Sequence, residues 1–261
     1  MGNIFLEEKF GLSGRVAVVI GGGGTLGSSM GLGLAKAGAN VVISDFNYEA
    51  AQKAANCIKE NSGQDTLAIQ TDITDSKSVE EMKEKVLDRY DKIDILVNSA
   101  GISGHIPAEE MSDEEWDRVI RVNLTGMFFC CRAVGKEMIR NKKGSIINIA
   151  SMSATIVNKG SNNVHYCSSK GGVVMLSKAL AEQWAKYNIR VNIISPGYMR
   201  TSLSIKALED PELKNYLKSK IPLKRAGNPE ELMGLAIFLA SDASSYITGA
   251  NILIDGGYTI L

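Results

Sequence analysis

The chain has 261 residues, long enough to bury a large α/β core, and its 29 Lys and Arg balance 29 Asp and Glu. With no net positive field to draw it to nucleic acid or to an anionic membrane surface, a neutral small-molecule or cofactor role fits better. Proline is sparse and no Gly- or Ser-rich linker divides the chain, so residues 1–261 read as one domain.

The opening MGNIFLEEKF lacks a basic segment followed by an apolar one, and Leu6 stands where a myristoylation signal wants Ser or Thr. An untargeted cytoplasmic protein is the expectation. The charge-free stretch between Arg15 and Lys36 is too rich in glycine for a membrane span. Cys57, Cys130, Cys131 and Cys167 show neither paired metal spacing nor disulfide-scaffold density and read as reduced, buried small residues.

Short β-branched runs recur at Val16–Ile20, Val41–Ser44, Leu67–Gln70, Ile93–Val97, Ser145–Ile149, Arg190–Ile194 and Asn251–Ile254. They are too uniformly apolar for a half-exposed sheet and read as buried parallel strands. Helical patterns lie between them at Glu49–Glu60, at Val79–Tyr90 and at Asp113–Arg140, the last opened by a capping box from Ser112 to Glu115. Such alternation predicts an α/β fold, a doubly wound seven-stranded parallel sheet with helices on both faces and ligands beyond the strands' carboxyl ends. Leu203–Arg225 breaks the rhythm and is expected to be a substrate-covering lid.

The first strand runs into Gly21-Gly22-Gly23-Gly24-Thr25-Leu26-Gly27, which matches G-x-G-x-x-G at Gly22, Gly24 and Gly27. Glycines there let backbone N–H groups approach a pyrophosphate with a helix N-terminus behind it. The second strand ends in Asp45, near the roughly 20-residue offset at which a carboxylate takes an adenosine ribose. A 2′-phosphate would be repelled there, and Phe46-Asn47-Tyr48 offers no cation, so NAD is favoured over NADP. Gly27-Ser28-Ser29-Met30-Gly31 also spells a hydrolase nucleophile elbow, but Ser29 should already lie inside the helix.

Tyr166 and Lys170 are four apart in a helical pattern running towards Lys186, so they share a face. A phenol exchanges protons at neutral pH only where positive charge stabilises the phenolate, which Lys170 and an oxidised nicotinamide would supply. Ser151 at the end of the fifth strand could hold a substrate oxygen, and Asn123 in mid-helix suggests a kink or a polar task.

In this order, Gly21 to Gly27, Asp72, Asn98-Ser99-Ala100-Gly101, Asn123 to Gly126, Ser151, Tyr166-x-x-x-Lys170, Pro196-Gly197 and Asp255-Gly256-Gly257 resemble the short-chain dehydrogenases/reductases over nearly the whole chain. The resemblance implies Tyr166 as general acid/base, Lys170 on the nicotinamide ribose, Ser151 orienting the substrate oxygen and Asn123 completing a water-linked proton relay. For NAD(H) it implies Gly21, Gly24, Thr25, Leu26 and Gly27 at the phosphates, Asp45 and Phe46 at the ribose, and Asp72 and Ile73 at the adenine. Asn98, Ala100 and Gly101 would line the trough, and Pro196, Gly197, Met199 and Thr201 would place the carboxamide. Thr25 and Ser99 depart from the family's usual Gly and Asn.

Asn148 to Ala154, the gap from Ser151 to Tyr166 and the ending Ile254 to Tyr258 look like the polyol, ketose and sugar-acid dehydrogenases of that family. Ser103, His105, Ser153, Asn158 and Asn163 could offer hydrogen bonds to such an alcohol or ketone. Neither histidine has metal-ligand spacing, and no metal is expected. A hydroxyacyl or sterol substrate is one alternative, and a catalytically idle NAD-binding regulator on the same fold is another. The resemblance also implies a homotetramer, with no nucleic-acid or membrane partner.

Overall fold

The computed structural model describes residues 4–158, 160–202, 204–205 and 210–260. All seven expected strands form: β1 (Val16–Ile20), β2 (Asn40–Asp45), β3 (Thr66–Gln70), β4 (Ile95–Asn98), β5 (Gly144–Ile149), β6 (Ile189–Pro196) and β7 (Asn251–Ile254). They pair in parallel in the order β3-β2-β1-β4-β5-β6-β7. The chain winds outward from β1 to β3, then returns to β4 on the other side of β1. Helices that diverge from this reversal leave a crevice at the strands' carboxyl ends.

The sheet is buried on both faces because strand side chains alternate. Val18, Leu96, Ile146 and Val191 pack one way against α4 (Ser76–Tyr90), α6 (Met127–Asn141) and α7 (Val164–Trp184). Val19, Ile43, Val97 and Ile147 pack the other way against α2 (Thr25–Lys36) and α3 (Tyr48–Ser62). Val79, Met82 and Val86 are the buried stripe of α4, as their spacing implied. Helix α3 starts at the side-chain cap Asn47 and stops at Gly63 in the left-handed region.

Four details differ from the sequence reading. The pattern at Asp113–Arg140 is two helices, α5 (Asp113–Ile120) and α6, joined by a π turn over Arg121–Gly126. The Ser112 hydroxyl accepts from Glu115 N, but the Glu115 carboxylate turns to Arg118 and His165, so only half of the capping box forms. Helix α1 (Ile4–Phe10) was announced by no sequence signal and buries none of its residues. Cys130 and Cys131 are buried, yet Cys57 is exposed on α3 and Cys167 is half-buried.

In the stretch expected to be a lid, residues 203 and 206–209 lie outside the described residues. Beyond them the chain forms α8 (Pro211–Lys220), capped by the Asp210 carboxylate at Leu213 N. Leu217 and Ile221 are buried with Met152 and Tyr258, so this part packs as a helix on the sheet's edge. Helix α9 (Met233–Ala240) follows and seats Leu239 in the core beneath α2.

Two helical glycines test this packing. A Cβ at Gly135 would stand 2.6 Å from the Trp184 ring, whereas one at Gly234, exposed on the outer face of α9, meets nothing within 4 Å. Gly135→Val should cost about 1–3 kcal/mol by overpacking. Gly234→Ala should add about 0.5–1 kcal/mol by stiffening the unfolded chain. Urea denaturation measures both, and equal effects would contradict the packing described.

Candidate active site

The crevice beside β1 encloses about 470 Å³. Of the residues expected to meet a dinucleotide, Gly21, Gly24, Asp45, Phe46, Asp72, Ile73, Ala100 and Gly101 line it. Gly21 has φ +69°, and a Cβ there would fall 2.5 Å from Ala100 N; one on Gly27 would fall 2.3 Å from Gly21 O. The loop is therefore backbone packed on backbone, which no side chain could enter. It delivers the chain into α2, whose N-cap Gly24 carries no side-chain hydrogen bond, leaving that helix end free to meet an anion.

Asp45 closes the loop's far side, its carboxylate accepting from Gly23 N and Asn47 N at 3.0 Å each. Since Asn47 caps α3, Asp45 is not the helix cap. Asp72 accepts from the backbone and hydroxyl of Thr74 at 2.8 and 2.7 Å. Ser29 is buried within α2, which removes the nucleophile-elbow reading. Asn98 is turned away from the cleft, donating to Asn148 Oδ1 at 2.8 Å, while Asn148 donates to Ser177 Oγ at 2.9 Å. This buried chain ties β4 and β5 to α7, the helix that carries Tyr166 and Lys170.

Lys170 is 4 % exposed. Its Nζ donates to Ile149 O at 2.9 Å and stands 5.7 Å from the centre of the Tyr166 ring. Burial pulls its pKa down to about 8. Burial pushes the Tyr166 phenol above its ordinary value, opposed by the neighbouring Ser151 hydroxyl. On balance the phenol stays above its ordinary value.

Asn123 sits in the π turn, fully buried. It accepts from Ile102 N at 2.8 Å and donates to Ile102 O at 2.9 Å and Ser169 Oγ at 3.0 Å. A Cβ on Gly101 would stand 3.2 Å from Lys170 Nζ and 3.4 Å from Asn123 Oδ1, so a larger residue there would crowd the ammonium.

The residues expected to meet substrate fall in two facing loops. Ser103 is exposed, and His105 Nδ1 lies 2.7 Å from Ser161 O across the gap. Ser153 is buried and donates its backbone N–H to Ser151 Oγ at 3.1 Å; Asn158 reaches Ser153 Oγ at 3.4 Å. Asn163 accepts from the Ser161 hydroxyl at 2.8 Å, a local turn contact. Pro196 ends β6, Gly197, Met199 and Thr201 follow it, and none of the four lines the 470 Å³ cleft. Met199 is joined to Gly227 by a parallel bridge, and Gly197 packs on Asp255.

The family described as enoyl-(acyl carrier protein) reductase matches residues 24–259. D-threitol dehydrogenase of Mycolicibacterium smegmatis is 41% identical over 98% of this chain and 96% of its own length. The chain belongs to the short-chain dehydrogenase/reductase family. NAD-dependent glycerol dehydrogenase of Listeria innocua is 39% identical over 97% of each chain. A gluconate 5-dehydrogenase from Burkholderia cenocepacia, solved with NADP and tartrate, superposes at a TM-score of 0.92, with 35% identity over 98% of this chain and 99% of its own. Among the described residues no helix is long and apolar enough to cross a membrane.

For a member of this family, the donor set suits a dinucleotide: free N–H groups for a pyrophosphate, a carboxylate for a ribose, and Ile73 with Val122 for a flat base. Thr71, Thr74, Ile102, Arg118 and Val122 also line the cleft and were not anticipated. Arg118 and Val122 are one turn apart on the α5 side, a spacing that would have found them once the Asn123 region was placed.

The buried ammonium makes a measurable claim. Between about pH 8 and 10.5 the unfolded chain holds a proton on residue 170 that the folded chain has shed, so this group's contribution to stability rises with pH across that window. The difference in unfolding free energy between wild type and Lys170→Met should therefore favour the variant at pH 7 and shrink as pH rises. A difference flat from pH 7 to pH 10 would contradict the burial of an ionised lysine.

Proposed function

We propose that the protein is an NAD-dependent oxidoreductase that exchanges a secondary alcohol with its ketone, the alcohol being a polyol or sugar acid and the ketone a ketose or keto acid. The observation that carries this reading is the convergence of Tyr166, Lys170 and Ser151 at the same end of the sheet as the 470 Å³ cleft at its reversal. The nicotinamide supplies the hydride chemistry when bound.

The residues would divide the remaining work. Ser151 holds the substrate oxygen by its hydroxyl. Tyr166 Oη takes the alcohol proton on oxidation and returns it on reduction. Lys170 grips the ribose and holds positive charge near the phenolate, offsetting the burial that raises the phenol's pKa. The Asn123 amide is already committed to Ile102 and Ser169, so Asn123 would serve a water-linked proton path through its backbone carbonyl.

Asp45 supports NAD over NADP, since a 2′-phosphate would meet its carboxylate with no cation in Phe46–Tyr48 to neutralise it. The threitol and glycerol dehydrogenases support a polyhydroxylated substrate. In this reading the chain acts as one catalytic domain, with the segment at about 203–225 covering the substrate. Exposed Trp116, Phe128, Val164 and Met175 on α5 to α7 favour assembly through those helices into a homotetramer. Four free cysteines suit a reducing cytoplasm.

Nicotinamide reduction across polyols, sugar acids, sterols and hydroxyacyl esters, with NADP run beside NAD, tests the reading. An NAD-selective signal on a polyol or sugar acid is expected, and Tyr166→Phe should lower kcat by about 10²–10⁴ with NAD affinity retained. Comparable rates with NADP overturn the cofactor preference, and a sterol or hydroxyacyl ester as best substrate overturns the substrate class. Tight NAD binding without turnover on any of them would favour an idle binding protein.

A further inference from the structure

The glycine loop makes one side-chain contact far along the chain that the reaction as described does not use. Thr25 stands where this family usually has glycine. It is the first residue of α2, half-buried, and its backbone is not in the left-handed region that would demand glycine. Its Oγ1 lies 3.2 Å from Ser202 Oγ and accepts from Ser202 N, also at 3.2 Å.

Ser202 in turn belongs to a self-closed turn. Thr201 N donates to Ser204 Oγ at 2.9 Å, Ser204 Oγ donates to Met199 O at 2.6 Å, and Ile205 N donates to Thr201 O at 2.9 Å. That turn follows β6, the strand leading to the residues proposed for the nicotinamide end. Among the described residues, the Thr25–Ser202 pair is the hydrogen-bonded link between this turn and the glycine loop.

The geometry points to a hydroxyl clasp in which Thr25 and Ser202 together grip the cofactor's pyrophosphate, an inference that rests on the dinucleotide reading above. Because Thr25 Oγ1 already accepts from Ser202 N, its own hydrogen is free to donate to Ser202 Oγ. With the proton so placed, the hydrogen of the exposed Ser202 hydroxyl has no partner among the described residues and is left to donate beside the open end of α2, where an anion is expected. Hydrogen bonds running head to tail polarise one another, so the last hydroxyl is a better donor to an anion than an isolated serine. The clasp also joins the two walls of the cofactor trough, one from the first strand's loop and one from the segment after β6. Thr25 is thus a positioning residue acting through Ser202, and Ser202 is the group that touches the phosphate.

The test compares ligands that do and do not carry a pyrophosphate. Calorimetric titration of wild type, Thr25→Ala, Thr25→Ser, Ser202→Ala and the Thr25→Ala/Ser202→Ala double variant with NAD, ADP-ribose and adenosine separates the clasp from general damage. Thr25→Ala and Ser202→Ala should each weaken NAD and ADP-ribose by about three- to tenfold, the net worth of one ordinary hydrogen bond at a solvent-exposed hydroxyl. Adenosine affinity should not move, Thr25→Ser should bind as wild type, and the double variant should be no weaker than the worse single one. Unchanged ADP-ribose affinity, an equal loss for adenosine, or strictly additive losses would overturn the clasp. A wild-type protein that binds neither NAD nor NADP would instead overturn the dinucleotide reading itself.

Discussion

An ammonium group held out of water is costly, and the site's irregular features are arranged around the one on Lys170. Its nitrogen is fixed by the Ile149 carbonyl at the end of β5. Gly101 leaves the space beside it uncrowded, and the neighbouring wall is Asn123, whose π turn interrupts what would otherwise be one long helix from α5 to α6. The next layer is also polar and buried: Ser169 joins Asn123 to α7, and the Asn98–Asn148–Ser177 chain pins that helix to the sheet. These directional bonds fix α7 against the sheet, although Asn98 Oδ1 is buried without a hydrogen-bond partner among the described residues.

That rigidity bears on what the tyrosine can do. In the protein by itself, burial raises the Tyr166 phenol and lowers the Lys170 ammonium, so each is held in its neutral form more than in water. Neither shift alone makes a proton shuttle. They become complementary when additional positive charge enters the trough beside the phenol, which is the condition under which a dehydrogenase must accept a proton. Under the function proposed above, proton transfer would thereby be tied to occupation of the dinucleotide cleft, through two groups on one helix face.

Much of this was legible in the sequence, for physical reasons that differ from place to place. The strands declared themselves because a parallel sheet buried on both faces must be apolar on both, so Val16–Ile20 or Ser145–Ile149 allow no other period. The glycine loop and the four-residue spacing of Tyr166 and Lys170 were local. Orientation was less accessible: Asn98 belongs to a motif that suggests the cleft, yet its amide is drawn inward by Asn148, a residue 50 positions away. The polar task suspected for Asn123 is real, but its partner Ile102 lies 21 positions away, in the segment after β4. The half-formed capping box at Ser112 has the same origin, since Glu115 is captured by Arg118 and by His165 of a distant helix. Exposed Cys57 shows the limit of composition, because a buried preference does not decide which helix face a given residue occupies.

The central claim is that Tyr166 changes its acidity when the dinucleotide cleft is filled. Tyrosinate absorbance can be titrated in wild type and in Tyr166→Phe, with and without saturating NAD⁺, and the difference between the two proteins isolates the one phenol. The account predicts that Tyr166 ionises above the ordinary tyrosine range in the protein alone and well below that point with NAD⁺ bound. A titration that NAD⁺ leaves unmoved, in a protein shown to bind it, would contradict the account.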